Sequence, residues 1–383
     1  MTLRVGKLVY GIIKLLPCLL AVLLASSCSS DVNSDEQKGN KTLVTLTIAA
    51  SGNAATASRA VSGNSSTITR ASVSDPTNKD YYIKDLTVLI FDESGDVIGS
   101  TTKQAPFSPS SDGNITIQVL TRAAKKCTVY AIANALALND GATPPFAGVA
   151  TLSALQSKVK TYKDADDINK ETCLLMMGKT ADNSFDTTNS GSAAAISLQR
   201  LASRIDFNFT VNNDKTTDKT TGFPIVVDSY QLCNVPTSTL YQQSDFTNPS
   251  MPSGSTSTSK YQSQGSITSS TAGTKKTYTC YVYTNTDTNA SHKTYLLINA
   301  HSAVTGSDGT TYKVWNSEFH VNMPDIVKPN MHYTVNITIN GGATPSTAQG
   351  DCGAVVTYNA YPYFSGSILN PWGPNENKDL DLQ

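Results

Sequence analysis

A chain of 383 residues has room for two ordinary domains or one large all-β one. At 39% hydrophobic, with 17 Tyr and 10 Phe, it can bury real cores, so the disordered class is excluded. Only 15% is charged and the formal net charge is −1, which leaves no electrostatic footprint for nucleic acid.

The first segment carries Arg4, Lys7 and Lys14 ahead of the apolar run Leu15–Ala25 and the small-residue exit Ala25-Ser26-Ser27-Cys28. A basic front, short apolar core and small-residue exit make a secretory signal. A spanning helix needs roughly 20 uninterrupted apolar residues, and Lys14 and Pro17 interrupt this one. The exit resembles a bacterial lipobox, with Leu23 and Leu24 upstream and Ala25 where Leu is usual. Cys28 is therefore the expected lipidated N-terminus, and residues 1–27 the lipoprotein signal peptide; Cys18, after Pro17, is the poorer rival.

Residues 31–40 read as a polar tether. Thr42–Ala49 then alternates, with Val44, Leu46 and Ile48 forming one apolar face of a half-buried strand. Ser51–Asp75 is Ser, Gly, Ala, Asn and Thr punctuated by Arg59 and Arg70, too poor in apolar groups to be held by burial. A strand set off by such a stretch suits proteolytic cutting. A flexible loop between the first two strands is the plainer reading of the same residues.

Tyr81–Phe91 is almost continuously apolar and reads as a strand buried on both faces. Asp92-Glu93-Ser94-Gly95-Asp96 follows as a hairpin turn. Asn114–Leu120 alternates, and Cys127–Asn134 is a second buried strand. Thr151–Lys170, with Leu152, Leu155 and Val159 at helical spacing, is the one expected helix. Asp182–Ala195 is the expected domain linker. The second half opens with Ile196–Val211, whose Ile205, Phe207, Phe209 and Val211 share a face. It continues in strands at Ile225–Asn234, Thr277–Thr284, Thr294–Ala300, Tyr312–Val321 and Tyr333–Ile339, with a long loop over Ser250–Lys275. Many strands, turns between them and almost no helix predict β-sandwiches.

No cofactor or metal site is expected: the four histidines His292, His301, His320 and His332 have no close ligand spacing. The acidic cluster Asp164, Asp166 and Asp167 reads as a solvated face, and no nucleophile elbow or phosphate loop points to an enzyme. Cys127, Cys173, Cys233, Cys280 and Cys352 are an odd set without CxxC spacing, most simply buried thiols. Tyr residues, Trp315 and Trp372 are candidate contact faces for a host protein or glycan, although most aromatics belong in cores.

Several segments resemble the Bacteroidales fimbrillins: Ile83–Asp92, Val129–Asn134, Met177-Gly178 followed by Leu198–Ile205, Tyr278–Asn285 with Thr294–Ile298, and Pro329–Ile339. The resemblance runs over nearly the whole chain in order. It implies a type V pilus subunit of two tandem transthyretin-like β-sandwich domains, which would fall at 60–192 and 193–383 after a propeptide at 28–59. It further implies passage to the outer membrane as a lipoprotein and removal of the N-terminal strand by an arginine-specific protease. The vacated groove would then accept a strand from the C-terminal region of another copy or a related subunit. On this chain the cut would fall between Arg59 and Ala60, with Arg70-Ala71 the alternative. Val44, Leu46 and Ile48 would be the removed pocket fillers, and Val356, Tyr358 and Ala360 would lie in the donor strand. The tail beyond carries Pro362, Pro371 and Pro374 and ends in polar Asn375–Gln383, which suits a strand poorly. A tip subunit, an anchor subunit or a non-polymerising surface lipoprotein stands as the other reading.

Overall fold

The computed structural model describes residues 41–50, 74–110, 114–185, 195–212, 225–253, 275–287, 289–305, 311–323, 326–340 and 354–362. All belong to one compact unit, Asn40–Gln383. The described elements are overwhelmingly strands, as the alternating pattern and Ser/Thr-rich turns require.

In chain order, the first half runs β1 (Lys41–Ala50), β2 (Asp85–Phe91), β3 (Val97–Gln104), β4 (Asn114–Arg122), β5 (Ala124–Ala133), α1 (Leu152–Gln156), β6 (Val159–Thr161), α2 (Asp167–Lys170), β7 (Met176–Phe185) and β8 (Ala195–Arg200). Seven of these strands close into a barrel in the order β1-β4-β3-β2-β5-β7-β8. β2 is buried at every residue, as its almost continuously apolar run predicts. The barrel is filled by Leu86, Val88 and Ile90 of β2, Cys127, Val129 and Ala131 of β5, and apolar residues of β1, β4 and β8.

The second half holds β9 (Ala202–Asn212), β10 (Ile225–Cys233), β11 (Ser238–Leu240), β12 (Lys275–Tyr283), β13 (Tyr295–Thr305), β14 (Thr311–Asn322), β15 (Met331–Asn340) and β16 (Ala354–Pro362). A four-stranded sheet, β12-β9-β15-β16, and a three-stranded sheet, β10-β13-β14, share one core. Ile205, Phe207 and Phe209 from the first sheet meet Tyr230, Leu232, Leu296 and Ile298 from the second. The expected sandwich is thus present in the second half, whereas the first half closes on itself.

Three expectations are corrected. The helix expected over Thr151–Lys170 is instead two short helices flanking β6. Thr151 Oγ1 accepts from the Ala154 amide at 3.2 Å and starts α1, but Ser157 ends it. Val159–Thr161 then pairs antiparallel with Ser238–Leu240, so tertiary strand pairing overrides the Leu152/Leu155/Val159 spacing. The linker expected from Asp182 begins later, because β7 continues to Phe185, whose ring is anchored in the barrel core. The second body, expected from residue 193, begins after Arg200: β8 pairs with β1 and β7, so Ile196 and Leu198 fill the barrel.

The segment Leu198–Ile205 is the joint. The Arg200 side chain is 2% exposed and donates from Nε to the Asp80 carbonyl at 2.6 Å, while its amide donates to Asn330 Oδ1 at 3.1 Å. Arg204 reaches Asp80 Oδ2 at 3.3 Å and Asp206 Oδ1 at 3.0 Å, and Asp206 also contacts Thr279 and His332. Burial alone would raise the Asp206 carboxyl, but hydrogen bonds from Thr279, Arg204 and His332 hold it below the usual carboxylate range. Lys79 donates to the Ile168 carbonyl and lies 4.8 Å from the Tyr281 ring centroid; burial pulls its ammonium down to about 8. Tyr162 and Tyr283 stack at 5.9 Å in a small apolar cluster at the same joint.

Where β7 crosses β8 the backbones touch: a Cβ on Gly178 would lie 2.3 Å from the Ser197 carbonyl oxygen. Gly178→Val is expected to lower the denaturation midpoint and expose the β7–β8 seam in hydrogen exchange, because neither backbone has room to yield.

Cys127, Cys173, Cys233 and Cys280 are buried thiols. Burial pushes Cys127 up to about 11 and Cys173 to about 12. A raised folded-state value means that stability from the protonated thiols is complete below the unfolded thiol value of about 8.5. It is lost progressively as the pH rises from there through 11 to 12. Stability measured across pH 8 to 11 should therefore fall. At neutral pH, alkylation of Cys127 and Cys173 should require unfolding.

Candidate functional site

The site is the seat of β1. Thr42, Val44, Leu46 and Ile48 point inward, with Leu46 and Ile48 fully buried, while Leu43 is 45% exposed. This is the period-2 face that the sequence predicts, set by the pleat.

β1 lies antiparallel to β4 along its length, from Lys41↔Arg122 to Ala49↔Asn114. Its apolar residues face those of its neighbour in register: Val44↔Val119, Leu46↔Ile117 and Ile48↔Ile115. On the other side it runs parallel to β8, with Ile48↔Ile196 and Ala50↔Leu198. Outside, Leu43 and Leu120 sit opposite each other, both exposed.

The other ladders of these two neighbours are short. β4 meets β3 only at Gly99↔Thr121, where a Cβ on Gly99 would lie 2.7 Å from the Thr121 Cβ. β8 meets β7 only at Met176↔Arg200 and Met177↔Gln199. β1 is therefore the principal hydrogen-bonding partner of β4 and of the first part of β8, and it closes the barrel. Without it, two strand edges would face an open slot lined by Ile115, Ile117, Val119, Ile196 and Leu198.

Burying an aliphatic side chain is worth roughly 1.5–3 kcal/mol, so Val44, Leu46 and Ile48 together contribute roughly 5–9 kcal/mol. That rivals the entire net stability of an ordinary domain, about 5–15 kcal/mol. The burial of β1 is therefore a large share of what holds the barrel together.

The sequence-predicted site residues fall in three places. Val44, Leu46 and Ile48 are in β1. Val356, Tyr358 and Ala360 are in β16, the edge strand beside β15, where register sets them opposite Ile337, Val335 and Tyr333. Cys28, Arg59 and Ala60, with the alternative Arg70-Ala71, lie outside the described residues. Sequence reasoning missed Ile196 and Leu198 as walls of the β1 seat, having assigned them to the second half. Their alternation was legible, and Gly178 marked the close approach of β7 that holds β8 in place. It also missed the Asp80–Arg200–Arg204 joint, which ties residues 120 and more apart.

Among the described residues, no group of three or more His, Cys, Asp or Glu side chains is placed to hold a metal ion. Asp167 pairs with Lys170 at 2.9 Å and accepts from the Asp164 amide at 2.9 Å, so the acidic cluster is engaged locally around α2.

The fold is shared with bacterial proteins described as candidate cell adhesion proteins. One from Bacteroides eggerthii is 17% identical with a TM-score of 0.54, covering 85% of this chain and 97% of its own. Two from Parabacteroides distasonis have TM-scores of 0.56, at 16% and 12% identity, covering 84% and 86% of this chain and 96% and 100% of their own. Residues 44–227 match the family model described as the major fimbrial subunit protein (FimA). That stretch includes most of β1 and both strands beside it, so the part of the chain that forms the seat is similar to a family of fimbrial structural subunits. No curated protein sequence matches it.

Leu46→Ala should cost about 2–5 kcal/mol by urea denaturation, the expected range for a large-to-small change in a closed core. Leu43→Ala, on the exposed face of the same strand, should shift stability by less than about 0.5 kcal/mol. Deleting Thr42–Ala49 should leave a body that self-associates or melts far lower; a monomer with an unchanged melting curve would count against β1 as the closing strand.

Proposed function

We propose that this protein is a stalk subunit of a surface fimbrium that polymerises by strand replacement and supports adhesion. It is exported as a lipoprotein acylated at Cys28 and held at the outer membrane. An arginine-specific protease cuts after Arg59, or after Arg70, and β1 leaves. The emptied seat between β4 and β8 then takes a strand from another copy or a related fimbrial subunit, with Val356, Tyr358 and Ala360 as the candidate fillers. On this reading the two bodies are variants of the tandem transthyretin-like domain.

The observation that carries the reading is the position of β1. It is the closing strand of a barrel, it supplies three buried apolar side chains, and it leads directly into the small-residue stretch that holds both arginines. An edge with unpaired backbone groups beside apolar pockets demands a partner. A strand donated by another chain satisfies both needs, ladder bonds giving affinity and alternate side chains giving specificity. A head-to-tail contact of this kind does not close, so it makes a filament.

One observation favours the second reading. β16 is paired with β15 of its own chain, the arrangement that a non-donating tip subunit or a free lipoprotein would keep.

The N-terminal residue of protein sheared from its own cells distinguishes these readings, read by peptide mass spectrometry. A start at Ala60 or Ala71, in material running as an SDS-resistant ladder, is the expected result. A start at acylated Cys28 in monomeric material would move the assignment to an anchor or a free surface lipoprotein.

A further inference from the structure

On the outer face of the barrel, away from the β1 seat, a groove of about 400 Å³ lies between β3 and the segment that follows β5. Its floor is Thr87 and Leu89 of β2. One wall is polar, with Ser100, Thr102 and Gln104 of β3 presented from alternate residues; the other is apolar, made by Leu136 and Pro144–Ala147. None of the lining residues is charged.

The apolar wall is built rather than draped. Asn134 is fully buried at φ 67°, a left-handed conformation that Asn adopts more readily than most residues. Its amide donates to the Tyr82 and Leu174 carbonyls at 2.9 and 2.7 Å and accepts from the Lys84 amide at 2.7 Å. The Asp85 carboxylate then accepts from the Leu136 and Ala137 amides at 3.0 and 2.7 Å. Further along, the Phe146 ring meets Tyr241 edge-on at 5.1 Å. The wall is thereby fixed at both ends before any ligand arrives.

We infer that this groove is a binding site for a neutral saccharide. A pyranose ring has C–H faces that pack on aromatic and prolyl surface, and a rim of hydroxyls that exchange hydrogen bonds with Ser, Thr and Gln. The groove offers these two surfaces on opposite walls, at a volume within the range of roughly 300–1,000 Å³ typical of small-ligand sites. The absence of charge in the lining disfavours sialylated or sulfated sugars. An extended peptide fits less well, because strand addition needs a free sheet edge. Here the floor strand is internal: β2 pairs with both β3 and β5, and Thr87↔Thr102 and Leu89↔Ser100 already face each other, so a peptide lying in the groove would meet no free edge there. Recognition must come from side chains, which suits a polyhydroxyl ligand. The inference stands apart from strand replacement, since the groove involves neither β1 nor β16.

The test is binding of the full chain to an array of immobilised neutral hexose and N-acetylhexosamine mono- and disaccharides, beside sialylated and sulfated ones. Neutral members should be captured selectively. Gln104→Ala, which removes one hydrogen-bonding rim group, should weaken capture about tenfold. Ser100→Arg, which fills the groove from an exposed position, should abolish it, both with unchanged melting curves. Capture of no neutral saccharide, equal capture of the charged ones, or capture that survives both substitutions would overturn the assignment. Each of these outcomes is independent of whether the chain polymerises.

Discussion

The structure depends on one pairing: β1 between β4 and β8. Closing a sheet into a barrel removes its edges, and here a single strand performs the closure. β4 and β8 have only short ladders elsewhere, so the closing strand supplies most of their backbone partners as well as the side chains that complete the core. The strand that does most to finish the barrel is also the first described strand, and the sequence that follows it is poor in apolar residues. Residues 44–227, which hold most of this arrangement, are similar to the major fimbrial subunit family.

The joint between the two bodies is fastened separately. Asp80, which follows the arginine-bearing stretch, is gripped by Arg200 through its carbonyl and by Arg204 through its carboxylate. Lys79 reaches α2 and Tyr281 beside it. None of these contacts involves β1. Closure of the barrel and cohesion of the two bodies are thus carried by different sets of residues. The buried guanidinium of Arg200 is held by backbone carbonyl oxygen and lies 5.0 Å from the Tyr81 ring centroid, which gives its charge partners away from water.

The distribution of polar residues follows the same division. The β1 seat is apolar where it holds Val44, Leu46 and Ile48, as a slot for alternate aliphatic side chains must be. The outer groove on β2 and β3 sets a Ser/Thr/Gln wall against a Pro/Phe wall on a neutral surface. One chain therefore carries an inner surface suited to a strand and an outer one suited to a small neutral ligand, on opposite faces of the same sheet.

By itself, the sequence determined the all-β class and the inward face of β1. Val44, Leu46 and Ile48 repeat with the period of the pleat, and that local geometry is independent of what packs against it. The burial of β2 was legible in the same way. Three features required the tertiary structure. Thr151–Lys170 has helical spacing, yet Val159–Thr161 became a strand because Ser238–Leu240 offered it a ladder. Ile196–Arg200 leads straight into the sandwich in sequence but belongs to the barrel, because β1 and β7 pair with it. The first body is a closed barrel, since a parallel pairing between strands some 150 residues apart joins its ends. Periodicity reports which face of a strand is buried. Which strand lies beside it is decided by pairings between distant residues, and those leave no mark on the local pattern.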